Sequence, residues 1–142
     1  TRCHQLATYI VFDSPLVMLC DAPTAYRKEP ECTRFIAGLP VVADETRILQ
    51  GKMGEYIVTA RRVGEDWIVG GLTDWEARTV DLDLSFLPEG MFRAEIFCDG
   101  INADKKGEDY RHEYRDVKRE DRLKMQLAPG GGFAIRLKKN HN

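Results

Sequence analysis

Residues 56–86 constrain the chain more than any other stretch, because three consecutive segments there repeat apolar and polar residues with a period of two. That is the spacing of a β-strand, whose successive side chains point to opposite faces. In the first segment Tyr56, Val58 and Ala60 share one face, while Thr59 and Arg61 share the other; Gly64-Glu65-Asp66 then supplies a short turn. Trp67, Val69 and Gly71 alternate with Ile68, Gly70 and Leu72, both sets apolar, which predicts a central strand covered on both sides. The pair Gly70-Gly71 presents no side chain and predicts a bulge or the close approach of another backbone. After the turn Thr73-Asp74-Trp75-Glu76, the residues Val80, Leu82, Leu84 and Phe86 form one dry face opposite Thr79, Asp81, Asp83 and Ser85. Read locally, the three segments form a three-stranded meander.

Further strands follow by the same rule. A strand pattern around Arg47 to Leu49 precedes the meander, and Phe92, Ala94, Ile96 and Cys98 alternate after the turn Leu87-Pro88-Glu89-Gly90. Residues 112–117, then Leu123, Met125 and Leu127, then Phe133, Ile135 and Leu137 complete a set of seven or eight short antiparallel strands. Regularly spaced turns between such strands predict a mainly β fold, an antiparallel β-sandwich.

The first forty-odd residues have a different grain. Cys3, Leu6, Ala7 and Ile10 recur at helical spacing over residues 2–12, and Cys32, Phe35, Ile36 and Leu39 do so after Pro30, with Gly38 and Pro40 as the stop. Between them, residues 16–20 are an unbroken apolar run bounded by Pro15 and Pro23, as in a buried parallel strand. A lone parallel strand needs partners that this sequence does not offer. The chain opens on Thr1 and runs straight into a helix, which reads as the interior of a longer protein. The division is therefore drawn at residues 1–43 and 44–142, and the stripes Leu6/Ile10 and Phe35/Ile36 are expected to lack cover within the chain.

Composition narrows the function. With 21 basic and 23 acidic residues in 142, there is no long-range field to attract nucleic acid or an anionic membrane. No run approaches the roughly 20 apolar residues of a membrane helix. Cys3, Cys20, Cys32 and Cys98 lack the paired spacing of a zinc site and sit in apolar patterns, as small hydrophobes do. Asn102, Asp104, Lys106, Gly107 and Glu113 fall at calcium-loop intervals, but Lys106 occupies a ligand position and the flanks are strands, so a solvated loop is expected. Pro129-Gly130-Gly131-Gly132 lacks the Lys-Ser/Thr ending of a phosphate cradle and is expected to be a turn. Metal ligands: none.

Glycosidic hydrolysis needs two carboxylates held on opposite sides of a bond, roughly 5–10 Å apart. Asp81 and Asp83 share one wet strand face and fail that requirement. Asp21 ends the apolar run, at the edge where barrel enzymes place their sites, and is either a rim residue or a turn cap; Asp44 and Glu45 are the companion rim candidates. Trp67 is expected in the core, whereas Trp75, in a turn, is either core or a surface for stacking a sugar ring.

Several motifs add to this reading in order: Ser14-Pro15-Leu16 through Asp21-Ala22-Pro23, Lys28-Glu29-Pro30-Glu31-Cys32, Asp44-Glu45-Thr46, Gly54-Glu55-Tyr56 through Ala60-Arg61-Arg62, Asp99-Gly100-Ile101-Asn102-Ala103-Asp104 and Ala128-Pro129-Gly130-Gly131-Gly132-Phe133. Together they resemble the C-terminal end of glycoside hydrolase family 97, the α-glucosidases and α-galactosidases of carbohydrate-degrading bacteria. The resemblance implies an N-terminal β-sandwich, a catalytic (β/α)8 barrel and a C-terminal sandwich described as an oligomerisation module. Residues 2–12, 16–20 and 31–37 would be the last helix, strand and helix of the barrel. It implies an exo-acting α-glycosidase that removes terminal α-linked glucose or galactose, is calcium-dependent, and is exported or periplasmic. The catalytic carboxylates and calcium-binding glutamates would lie upstream of Thr1, so the catalytic residues in this chain are none. Its implied partners are the upstream barrel, the oligosaccharide substrate and further copies of itself. Ala43 departs from the larger residue expected before Asp-Glu-Thr. An independent carbohydrate-binding sandwich, or a purely structural interaction module, is the alternative.

Overall fold

The computed structural model describes residues 1–13 and 22–141. The apolar run at 16–20, with Cys20, and the candidate Asp21 lie outside the described residues. Among the described residues, three short helices, α1 (Arg2–Val11), α2 (Pro23–Lys28) and α3 (Pro30–Ala37), precede eight strands. These are β1 (Glu45–Lys52), β2 (Tyr56–Val63), β3 (Asp66–Thr73), β4 (Arg78–Asp83), β5 (Phe92–Asp99), β6 (Tyr110–Val117), β7 (Arg122–Leu127) and β8 (Gly132–Lys139).

Local chemistry sets the ends of these elements. The Thr1 hydroxyl accepts the His4 backbone N–H at 3.1 Å and caps α1. Proline opens α2 and α3, where a missing N–H costs nothing. Gly64, at φ +60°, turns β2 into β3 with a backbone that a side chain would strain. Helix α2 has no apolar stripe of its own, and none of its residues is buried.

Among the described residues the strand pairs are all antiparallel. Six strands form one sheet in the order β1-β2-β3-β8-β5-β6, and β4 pairs with β7 in a second sheet. The expected meander of residues 56–86 is thus corrected. Its first two strands pair, but β4 crosses to the other layer, and the free edge of β3 is taken by β8, with Trp67 opposite Leu137 and Leu72 opposite Gly132. Alternation identified the faces of these strands, not their neighbours.

The sandwich core lies between the two sheets. Val58, Val69, Phe92, Ile96, Phe133 and Ile135 from the large sheet meet Val80, Leu82, Leu123 and Met125 from the small one. Trp67 joins them at 3 % exposure, edge-on to Phe86 with ring centroids 5.1 Å apart. A second apolar layer covers the opposite face of the large sheet, where Cys3, Leu6 and Ile10 of α1 and Cys32 and Phe35 of α3 close over Ile68, Phe97 and Ala134. The expectation that the helical stripes lack cover is therefore overturned, since Leu6 (2 %), Ile10 (0 %) and Phe35 (1 %) are buried on the sandwich itself. Burial of this apolar surface, at about 25 cal/mol per Å², is what fastens both helices to the sheet.

The paired glycines of β3 serve that packing. A Cβ on Gly70 would lie 2.9 Å from the Ile10 Cβ and 3.1 Å from the Ala7 carbonyl oxygen, so α1 approaches the bare backbone as the sequence predicted. On the inner face, a Cβ on Gly71 would sit 2.2 Å from the Phe133 ring.

Candidate functional site

Asp44 and Glu45 stand where β1 enters the large sheet. The Asp44 carboxylate accepts the Gly64 N–H at 2.8 Å and lies 3.7 Å from Arg62, so it ties the β2–β3 turn to the start of β1. Glu45 accepts from Arg47 and, at 3.2 Å, from Arg62. These two guanidinium hydrogen bonds, Arg47 first, hold its carboxyl below the usual glutamate range. Asp81 and Asp83 are similarly engaged, each 3.3 Å from Arg122 across the small sheet.

Trp75 belongs to the other end of the molecule. It is 87 % exposed in the β3–β4 turn, and its ring lies over Gly130, 3.4 Å from where a Cβ would project. Asp74 beside it accepts the Glu76 N–H and a hydrogen bond from Arg78, which hold its carboxyl below the usual aspartate range, the backbone bond first. Thr73 pairs with Tyr56 and Glu45 with Arg62, so the length of β2 separates Trp75 from Asp44 and Glu45. At the rise of a strand that distance is about 20 Å. The structure does not bring the rim candidates and the stacking candidate together.

A buried polar centre that the sequence left as part of a loop sits near Trp75. Asp99, 4 % exposed at the end of β5, accepts the Thr1 hydroxyl at 2.6 Å and the backbone N–H groups of Ala128 (2.9 Å) and Gly132 (3.0 Å). The Thr1 nitrogen donates to the Gly130 carbonyl and a His4 ring nitrogen lies 3.1 Å from the Gly131 carbonyl. The N–H groups at the two ends of this turn, Ala128 and Gly132, are presented to an anion, and that anion is the chain's own carboxylate. Gly131 is required there, because a Cβ would fall 1.9 Å from the Asp99 oxygen. The only advance signal was the glycine run itself.

On the helical side, α3 is fastened through polar groups as well. Glu31 accepts the Tyr110 hydroxyl at 3.0 Å and lies 3.3 Å from His112, whose other ring nitrogen is 3.1 Å from Glu95. His112 stacks on Phe97 with centroids 4.1 Å apart. Burial, and then the Glu31 hydrogen bond, push the Tyr110 phenol above its usual range.

The calcium-like spacing after Asn102 closes on itself instead of gathering oxygens. The Asn102 N–H donates to Asp109 at 2.8 Å, the Asn102 carbonyl accepts from Lys105 and Lys106, and Glu113 is carried away on β6. Among the described residues no group of three His, Cys, Asp or Glu is placed to hold a metal ion. The donors among the described residues do not fit calcium.

Comparison with known proteins is unambiguous about kinship. A family model described as glycosyl-hydrolase 97 C-terminal, oligomerisation, matches residues 42–138. The chain is 56 % identical, over 97 % of its length, to a retaining alpha-galactosidase of Bacteroides thetaiotaomicron, and 30 % identical, over 92 %, to a probable retaining alpha-galactosidase of Streptomyces bingchenggensis. It spans about a fifth of each, 21 % and 19 %. Among solved structures it is similar to a glycoside hydrolase family 97 enzyme from Pseudoalteromonas sp. strain K8 in complex with acarbose, at 38 % identity and TM-score 0.95, covering 98 % of this chain and 22 % of that one. The sandwich, with the helices laid across its large sheet, belongs to the C-terminal, oligomerisation domain family of glycosyl hydrolase 97.

Proposed function

We propose that this chain is the non-catalytic association domain of a retaining, exo-acting α-galactosidase. The observation that carries the reading is the 56 % identity to the Bacteroides enzyme across nearly the whole chain; the match to the acarbose complex is 38 %. That difference favours galactose over glucose as the terminal sugar. In this reading residues 1–43 are the end of a catalytic barrel next to the sandwich of residues 44–142, and Asp44 and Glu45 are candidates for the rim of the barrel. The calcium and the exported or periplasmic location implied by the family resemblance belong to the longer enzyme. Association would use the outer face of β1 and β2 and the turn that joins them, where Ile48 (69 % exposed) and the turn residue Met53 (101 %) accompany the half-buried Ile57.

Two measurements test this. The longer gene product should hydrolyse nitrophenyl α-galactoside faster than the α-glucoside, releasing the α-anomer first, while the 142-residue chain turns over neither. A preference for glucoside, or turnover by this chain after repurification, refutes the enzyme reading. Light scattering over a concentration series should give a multiple of the monomer mass that Ile48→Asp reduces. A monomer at every concentration refutes the association reading.

A second reading, a sugar-binding sandwich, rests on the exposure of Trp75. It requires that migration in a galactan-containing gel be retarded and that Trp75→Ala abolish the retardation.

A further inference from the structure

Among the described residues the two sheets have four open strand edges, β1 and β6 on the large one and β4 and β7 on the small one. An open edge presents unpaired backbone groups to any further strand, and three of these four are guarded. The ladder of β1 is irregular between Ile48 and Gln50, and the Gln50 side chain donates to the Asp81 carbonyl at 2.8 Å, so β1 reaches across to the edge of β4. β7 carries Arg122 and Lys124, charges of one sign that repel a second copy. β6 has none of these guards. It runs unbroken for 8 residues, paired with β5 from Tyr110 opposite Asp99 to Val117 opposite Phe92.

The register fixes which groups of β6 are free. In an antiparallel pair, residues that exchange hydrogen bonds alternate with residues whose N–H and carbonyl point away. The Gly100 N–H donates to the Asp109 carbonyl at 3.0 Å in the register of β5 and β6, so Cys98 with Arg111, Ile96 with Glu113 and Ala94 with Arg115 are bonded pairs. Tyr110, His112, Tyr114 and Asp116 therefore turn their backbone groups outward, and β6 has no second neighbour among the described strands. The two faces of the strand differ in kind. Tyr110, His112 and Tyr114 form a row on the face that meets Glu31 of α3, with Tyr114 54 % exposed. On the other face Arg111, Glu113 and Arg115 alternate in sign, the Glu113 carboxylate 3.5 Å from Arg115 and both of these side chains open to solvent.

We propose that β6 pairs antiparallel with β6 of a second copy, about a two-fold axis at His112, joining two large sheets into one. The inference rests on the association reading above and adds a contact at the edge of the large sheet opposite β1. In this alignment Tyr110 faces Tyr114 of the second copy and His112 faces its own counterpart, so three bonded pairs contribute about six backbone hydrogen bonds. Arg111 then faces Glu113 of the second copy, twice by symmetry, at the non-bonded positions where opposed side chains approach most closely. Neighbouring alignments lose this match. An axis at Glu113 sets Glu113 against itself and Arg111 against Arg115, and an axis at Tyr114 leaves Arg111 against Val117. Charges on an edge strand ordinarily discourage pairing, but their alternation in sign makes this edge complementary to itself.

The test uses the full chain, labelled with ¹⁵N. The backbone N–H groups of His112 and Tyr114 should exchange with solvent freely in dilute solution and become protected about tenfold or more as concentration rises, while that of Arg111, bonded to β5, is protected throughout. In sedimentation, Ile48→Asp should still dimerise through the edge. Glu113→Arg in that background should weaken the dimer about tenfold or more, because it sets like charges against each other twice, and Arg111→Glu with Glu113→Arg should restore it to within about threefold. Circular dichroism checks that each variant folds; where the double variant does not, the amide exchange decides. A dimer whose His112 and Tyr114 amides stay unprotected overturns the proposal, as does a folded double variant that fails to restore pairing. Loss of all association on Ile48→Asp removes the edge contact and leaves the association reading standing, whereas a monomer at every concentration of the unsubstituted chain removes both.

Discussion

Asp99 shows how much of this fold depends on single polar atoms. Its carboxylate satisfies two backbone N–H groups and a hydroxyl from segments 29 to 98 residues away in sequence. Asp99→Ala would leave those donors buried and unpaired, at about 1–3 kcal/mol for each. Chemical denaturation should therefore show a large loss for Asp99→Ala and a comparable one for Gly131→Ala, about 2–4 kcal/mol, since the new methyl group collides with the same oxygen. Gly54→Ala tests the generality of the effect. Gly54 also has a positive φ, +77°, but nothing lies within 4 Å, so its cost should stay near 1 kcal/mol. The buried thiols make a prediction about pH. Burial pushes Cys3, Cys32 and Cys98 above the ordinary thiol value of 9.0. In the unfolded chain they ionise near that value, so above it the unfolded state binds fewer protons than the native state, and stability falls as pH rises. In a Cys20→Ser background, denaturation midpoints should decline between pH 9 and 10.5. The three native thiols should react with a disulfide reagent only as the protein unfolds. Measurable labelling of all three under native conditions would contradict their burial.

Among the elements, α1 behaves as part of the sandwich even though its sequence pattern belongs to a different architecture. Its residues Cys3, Leu6, Ala7 and Ile10 are all 2 % exposed or less, and they cover Ile68, Ala134 and Phe97 on the sheet. Ile10→Ala should cost about 2–5 kcal/mol, as for other buried aliphatic truncations. Removal of residues 1–13 should lower the thermal midpoint and induce binding of a hydrophobic dye. An unchanged midpoint with no dye binding would show that the helix is dispensable. The strands themselves were readable: the period of two located them to within a few residues, because most have one face in the core and a turn residue at the end. The two-sided apolarity of β3 and its glycine pair anticipated cover on both faces and the close approach of another backbone, but not that α1 supplies it. What could not be read is which strands are neighbours, because alternation is silent about register and order. Asp99 was hidden for a related reason. It occupies a position whose local pattern is ordinary and whose partners come from distant segments, so only the assembled sheet shows that it is satisfied.

At the scale of the whole molecule the strand order has a consequence for how the protein is made. The last strand, β8, lies between β3 and β5, near the middle of the large sheet. A chain emerging from the ribosome in sequence order can form β1-β2-β3 and β5-β6 early, yet these remain two separate pieces, each with an unpaired interior edge, until residues 132–139 arrive. Removing those eight residues should therefore do more than shorten the sheet. Stalled chains ending at residue 131 should remain protease-sensitive and aggregation-prone, and full-length chains should acquire resistance in one step. A resistant intermediate ending before β8 would contradict this order. With β8 at the centre of the sheet, a chain cut before residue 132 exposes two sticky edges and is left open to degradation.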